Sequence, residues 1–191
     1  MSRWKSPLGR VAARVVQAVA RAGSTPERPL NDFERRILEP VFEVSIRWAD
    51  VRLREGVRGL LNLSARAFVI ENTIFLPKDY LPLPPALLVH EATHVWQFQH
   101  GGHAYIADSL HAQFLGDGYN LEKALLQKKP WEALNCEQQA TLLEEAFAQS
   151  CFHGRPFVVR GRDYTPYFEE AIAQVRRGEG ASFHAFPRPG E

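Results

Sequence analysis

Apolar and polar positions divide the chain into two differently patterned halves. Residues 50–54 alternate charged and apolar side chains (Asp50, Val51, Arg52, Leu53, Arg54), which predicts a half-buried strand. Two β-rich runs follow, at 67–70 (Ala-Phe-Val-Ile) and 73–76 (Thr-Ile-Phe-Leu). Only Glu71 and Asn72 separate them, and a two-residue loop holding Asn predicts a tight hairpin. The first half is therefore expected to hold a small, mainly antiparallel sheet, with 73–76 as an edge along which an extended peptide would lie. Ahead of it, Asn31 or Asp32 stands where it can cap a helix over 33–42, interrupted near Pro40.

The second half reads as helical. Pro82, Pro84 and Pro85 lead into an apolar run predicted as a helix over 85–100, which Gly101 and Gly102 stop. Further helices are predicted over 104–114, 121–127, 137–152 and 167–177. A small sheet followed by helices is an α+β layout. Gly- and Pro-rich stretches at 23–29 and from 178 onward divide the chain. The expected organisation is a basic N-terminal segment and linker over 1–30, one domain over 31–177, and a flexible tail over 178–191.

Composition narrows the picture. At 191 residues, with 45% apolar and 24% charged side chains, the chain can bury a real core in one domain. A net charge of +1 gives no reason to expect nucleic acid as a partner. No apolar run approaches the 18 or so residues of a membrane span. Basic charge gathers in residues 1–26 (Arg3, Lys5, Arg10, Arg14 and Arg21, with no acid). There Val11, Val15, Ala18, Val19 and Ala22 recur at helical spacing, which predicts a short basic amphipathic helix. Arg14 interrupts its apolar stretch, so it does not read as a secretory signal peptide, and a cytoplasmic location is expected. Cys136 and Cys151 are too few for a disulfide framework and are expected to be small buried side chains.

The chemistry gathers on the helix expected over 85–100. His90-Glu91-Ala92-Thr93-His94 is an H-E-x-x-H motif. Helical residues four apart share a face, so both imidazoles can reach one ion at the roughly 2.0–2.1 Å of a Zn–N bond. Glu91 lies about 100° around the helix from His90, placed to touch a metal-bound water as general base without being a ligand. Five of the 7 histidines fall between positions 90 and 111, which supports a metal site.

Two histidines and a water leave zinc one protein ligand short. His100 has the metzincin spacing, H-E-x-x-H-x-x-G-x-x-H, but Gln97 stands where that pattern has the glycine that turns the chain back. His103 is a further candidate, and Asp108 and Asp117 are weaker ones. A carboxylate on a following helix is the better candidate. Glu137, in Asn135-Cys136-Glu137-Gln138-Gln139-Ala140, is preferred, with Glu144 and Glu145 as alternatives. For the oxyanion, Tyr119, Tyr105 and His103 are candidates by side-chain type, and Tyr119 is taken forward.

The stretch from Leu87 to Gln97 resembles the active helix of gluzincin-type zinc metallopeptidases. More narrowly, it is similar to small bacterial zinc-peptidase-like domains, Vgr-related or forming the core domain of contractile injection systems. The hairpin before it and the Glu137-Gln138-Gln139-Ala140 stretch after it match that layout. The resemblance implies a zincin-like fold, Zn²⁺ as cofactor, His90, His94 and Glu137 as ligands, and Glu91 as base. The expected function is a zinc-dependent hydrolase, most simply a peptidase acting on a peptide or protein. The alternative is a non-catalytic zinc-bound module associated with a secretion or injection system, through a secretion-system partner. Export by a specialised secretion system stays open under either.

Overall fold

The structure, a computed structural model, describes residues 26–56, 67–77, 83–103 and 120–181. The expected basic helix, the helix over 104–114, and Tyr105, Asp108, Asp117 and Tyr119 lie outside the described residues.

Helix α1 (Asp32–Phe42) begins in a capping box. Asn31 accepts from the Glu34 amide, and the Glu34 carboxylate accepts in return from the Asn31 amide. Pro40 sits in the last turn without ending the helix early. A 3-10 turn (Trp48–Asp50) leads into strand β1 (Arg52–Glu55). Strands β2 (Phe68–Ile70) and β3 (Thr73–Leu76) form the expected hairpin, with Glu71 in the left-handed region at φ 57°.

The sheet has the order β1-β3-β2 and is mixed: β2 pairs antiparallel with β3, whereas β1 pairs parallel with it. This corrects the expectation that residues 73–76 form a sheet edge. β3 is the central strand, because β1 pairs along the side that the hairpin leaves open, and all four of its residues are buried. On the far side of β1, Arg28 exchanges both backbone hydrogen bonds with Leu53, so β1 is covered as well. The Arg28 guanidinium also bonds Glu34 and Glu55, tying the chain's entry to α1 and β1.

Helix α2 (Pro85–Gly101) carries Pro85 in its first turn, and Gly102 caps it at φ 68°. Its ten residues from Leu88 to Gln97 are all buried. Such a helix has no solvent face; α4, α1 and the β2–β3 hairpin pack around it. Helix α3 (Leu121–Leu126) and a 3-10 turn (Trp131–Ala133) lead to α4 (Cys136–Ala148), the main partner of α2. Helix α4 stops short of the expected residue 152: Ser150 adopts φ 63° and the chain tightens into a 3-10 turn (Cys151–His153). A small hairpin absent from the expectation follows, β4 (Val158–Val159) and β5 (Arg162–Asp163). Its two-residue turn puts Arg160 and Gly161 at φ 50° and 76°, the pair of positive angles a tight turn of this hand requires.

Helix α5 (Thr165–Arg176) closes the domain, and its Val175 carbonyl accepts from the buried Trp96 indole at 3.1 Å. Residues 178–181, expected to begin a flexible tail, are instead packed onto the domain. Gly178 lies against His100, Gly180 lies on the ring of Trp131, and Ala181 is buried. Cys136 and Cys151 are buried and form no disulfide, as expected. The α+β class holds throughout, and no described helix is long and apolar enough to cross a membrane.

Candidate metal centre

The centre forms where α2 crosses the first turns of α4. His90 and His94 are one helical turn apart on α2, with ring centroids 5.0 Å apart. Asn135 caps α4 by accepting from Gln138, with Gln138 returning the bond. That capping box fixes where the helix starts and brings Glu137, in its first turn, against the two imidazoles. The Glu137 Oε2 atom lies 3.5 Å from His90 Nε2 and 3.6 Å from His94 Nε2. One donor atom from each residue lies within 4.8 Å of the others. Exposure is 8% at His90, 6% at His94 and 1% at Glu137.

These distances suit an ion. Bonds of about 2.0–2.1 Å in tetrahedral geometry space neighbouring donor atoms about 3.3–3.4 Å apart. The 3.5 and 3.6 Å separations exceed that by only a few tenths of an ångström. Two imidazoles and a carboxylate form a donor set for zinc or a similar transition metal rather than for the oxygen-seeking Mg²⁺ or Ca²⁺.

The other imidazole nitrogens are held as well. His90 Nδ1 lies 2.9 Å from Glu144 Oε2, and His94 Nδ1 lies 2.8 Å from Gln97 Oε1. A carboxylate oxygen and an amide oxygen only accept, so each Nδ1 carries the proton and each Nε2 faces Glu137. Partners of this kind fix the tautomer and ring orientation of a metal-binding histidine. Glu137 and Glu144 are seven residues apart, two turns along the same face of α4, and so reach different nitrogens of one ring.

Charge in the centre is tightly coupled. Burial opposes the charged form of His90, but its bonds to Glu137 and Glu144, with the charges of Glu91 and Glu137, outweigh this and push its pKa up to about 10. Burial likewise disfavours charged His94, and the Glu137 carboxylate beside it raises its pKa nonetheless. Glu91, 3% exposed, is shifted the other way in charge: burial raises its carboxyl pKa, against the pull of His90 and His94. Its Oε2 is buried with no hydrogen-bond partner among the described residues. In the metal-free chain, protons on the imidazoles supply the positive charge that buried carboxylates require.

The remaining candidates lie elsewhere. His100 stays on the unbroken helix, where its Nε2 meets Ser45 O at 2.7 Å and its ring tilts against Trp96 at 5.1 Å. His103 meets Glu71 at 3.0 Å, at the turn of the hairpin. Glu145 is half-buried; burial and the neighbouring Glu144 raise its pKa. Sequence reasoning missed Gln97 as a partner of His94 and weighed Glu144 only as a ligand. The spacing His94-x-x-Gln97, one turn on the same helix, was the available signal.

Fold and site together define an α+β domain with a buried His-His-Glu group able to hold a metal ion. No protein-family model matches the chain, and no curated protein matches it in sequence. In fold it is similar to a solved structure, the effector domain of Pseudomonas aeruginosa VgrG2b. The TM-score is 0.52, with 21% identical residues over 87% of this chain and 96% of that one.

Proposed function

We propose that this chain is a zinc-dependent hydrolase of zincin type, cleaving peptide bonds in a protein substrate. Its ligands are His90, His94 and Glu137. The observation that carries the reading is the convergence of two Nε2 atoms on Glu137 Oε2 while both Nδ1 atoms are tied elsewhere. A site built only to be a salt-bridge cluster has no need for that polarity.

Bound Zn²⁺ supplies a Lewis acid and a water whose pKa falls toward about 7. Held by His90, His94 and Glu137, the ion would supply that chemistry, and Glu91 Oε2 would serve as the general base that accepts a proton and passes it to the leaving amine. Burial raises the Glu91 pKa toward the working range of a general base, and its unpartnered oxygen supports that role over a structural one. Glu144 and Gln97 hold the two rings in place through the cycle. Tyr119 is the proposed oxyanion donor. The likeness to an effector domain supports a place for this chain among Vgr-related effectors that a secretion system exports.

The test is Glu91→Gln, which keeps shape and removes the basic oxygen. Zinc content should match wild type, and turnover on a peptide found by library screening should fall at least about 10²-fold. Unchanged turnover rejects the base. Full zinc content with no turnover by wild type across a broad library favours the non-catalytic zinc-bound module.

A further inference from the structure

Three backbone carbonyls decide which way two buried side-chain amides point. Gln139 Nε2 lies 3.1 Å from Trp131 O and 2.9 Å from Gly180 O. A carbonyl oxygen only accepts, so both contacts require N–H groups and the Gln139 amide has one permitted orientation. Its Oε1 then accepts from Gln97 Nε2 at 3.1 Å. Gln97 Nε2 also donates to Cys136 O at 2.9 Å. With both of its hydrogens engaged, Gln97 turns its oxygen toward His94 Nδ1. Four of these five links are buried and the one to Gly180 O is part-buried, and Gln97 and Gln139 are both fully shielded from water, so solvent competes little for these bonds.

We infer that Gln97 is the positioning residue of the metal centre, holding His94 as the Nδ1–H tautomer with Nε2 presented to the ion. The inference rests on the metal-binding reading above. Direction runs from the backbone inward: the carbonyls of Trp131, Gly180 and Cys136 orient Gln139 and Gln97, and Gln97 orients His94. A hydrocarbon at 97 would fill the space but take the Gln97 donor away from Gln139 Oε1 and free the imidazole to turn over. The relay also links His94 to residue 180, beyond the last helix, where a side chain would run into the Trp131 ring.

The experiment uses the full chain and zinc alone. Zinc affinity is measured by chelator competition for wild type and Gln97→Met, with far-UV circular dichroism on the same samples. The expected result is unchanged secondary structure and 10- to 100-fold weaker zinc binding, the range seen for lost outer partners of metal ligands. Equal affinity in the two proteins overturns the inference and leaves the metal centre standing. Wild type that takes up no zinc overturns the metal reading itself, and the inference with it. Should Gln97→Met fail to fold, nitrogen-15 spectra of the histidine side chains in zinc-loaded wild type decide the matter. His94 should carry its proton on Nδ1 and the metal on Nε2, and the reverse assignment overturns the inference.

Discussion

Replacing Glu137 by Gln removes one donor oxygen and one negative charge from the centre while preserving side-chain volume. The carboxylate is 1% exposed and lies 3.5 and 3.6 Å from two imidazole nitrogens. In the metal-free variant the imidazoles can shed their protons instead of standing as unpaired buried cations, so the chain should still fold. The effect should appear when zinc is added. Free zinc at 100 times the wild-type Kd stabilises the folded chain by about 2.7 kcal/mol. For a domain of this size each kcal/mol moves Tm by about 2–4 °C, giving a rise of about 5–11 °C. A lost ligand must cost at least the 10- to 100-fold of a lost outer partner. At 100-fold, the same free zinc only equals the variant's Kd, and the stabilisation shrinks to about 0.4 kcal/mol. The variant's Tm should then rise by only about 1–2 °C. The assay is a thermal melt of both proteins with chelator and with buffered free zinc. Equal zinc-induced shifts would show that Glu137 is not a ligand.

Three further outcomes follow from particular residues. The pKa of His90 is raised from an unfolded value of 6.5 to about 10, so its stabilising protonation is complete below the unfolded value and is lost as pH climbs through the folded one. The chelated protein should therefore show falling urea midpoints between about pH 7 and 10, and a flat profile would contradict the assignment. Gly180 has φ +85° with no room for a side chain beside Trp131, so Gly180→Ala should lower stability by at least about 1 kcal/mol in urea titration; an unchanged midpoint would refute the close packing. Asn135→Ala removes the cap that sets the start of α4 and should cost about 0.5–2 kcal/mol, with Asn135→Gly costing only a few tenths.

Local rules made much of this legible in the sequence. The Glu71-Asn72 hairpin, the proline-opened and glycine-closed α2, and the cap at Asn31 each depend on residues a few positions apart. The parallel pairing of β1 with β3 does not: it joins residues about twenty apart with no turn chemistry to announce it, and for that reason the sequence alone points to β3 as an edge. The same limit applies to the centre. His90, Glu91 and His94 are readable because one helix carries them. The choice between Glu137 and Glu144 depends on how far along its axis α4 meets α2, since both lie on one face of that helix. Gln97 read as a missing glycine because only its distance from His94 was visible, whereas its bonds to Cys136 and Gln139 come from another helix.

The packing of α2 on α4 also has a topological consequence. His94 and Glu137 belong to different helices, and an ion shared by them would act as a cross-link closing a loop of roughly 40 residues. By chain-entropy accounting, a permanent link of that span removes about 4 kcal/mol of disorder from the unfolded chain. Metal bound at the centre would thus restrain the entire stretch between the two helices, far beyond the side chains it touches. Chelation should make bonds within that stretch the first to open to a protease, while the β1-β3-β2 sheet, which lies outside the loop, keeps its protection.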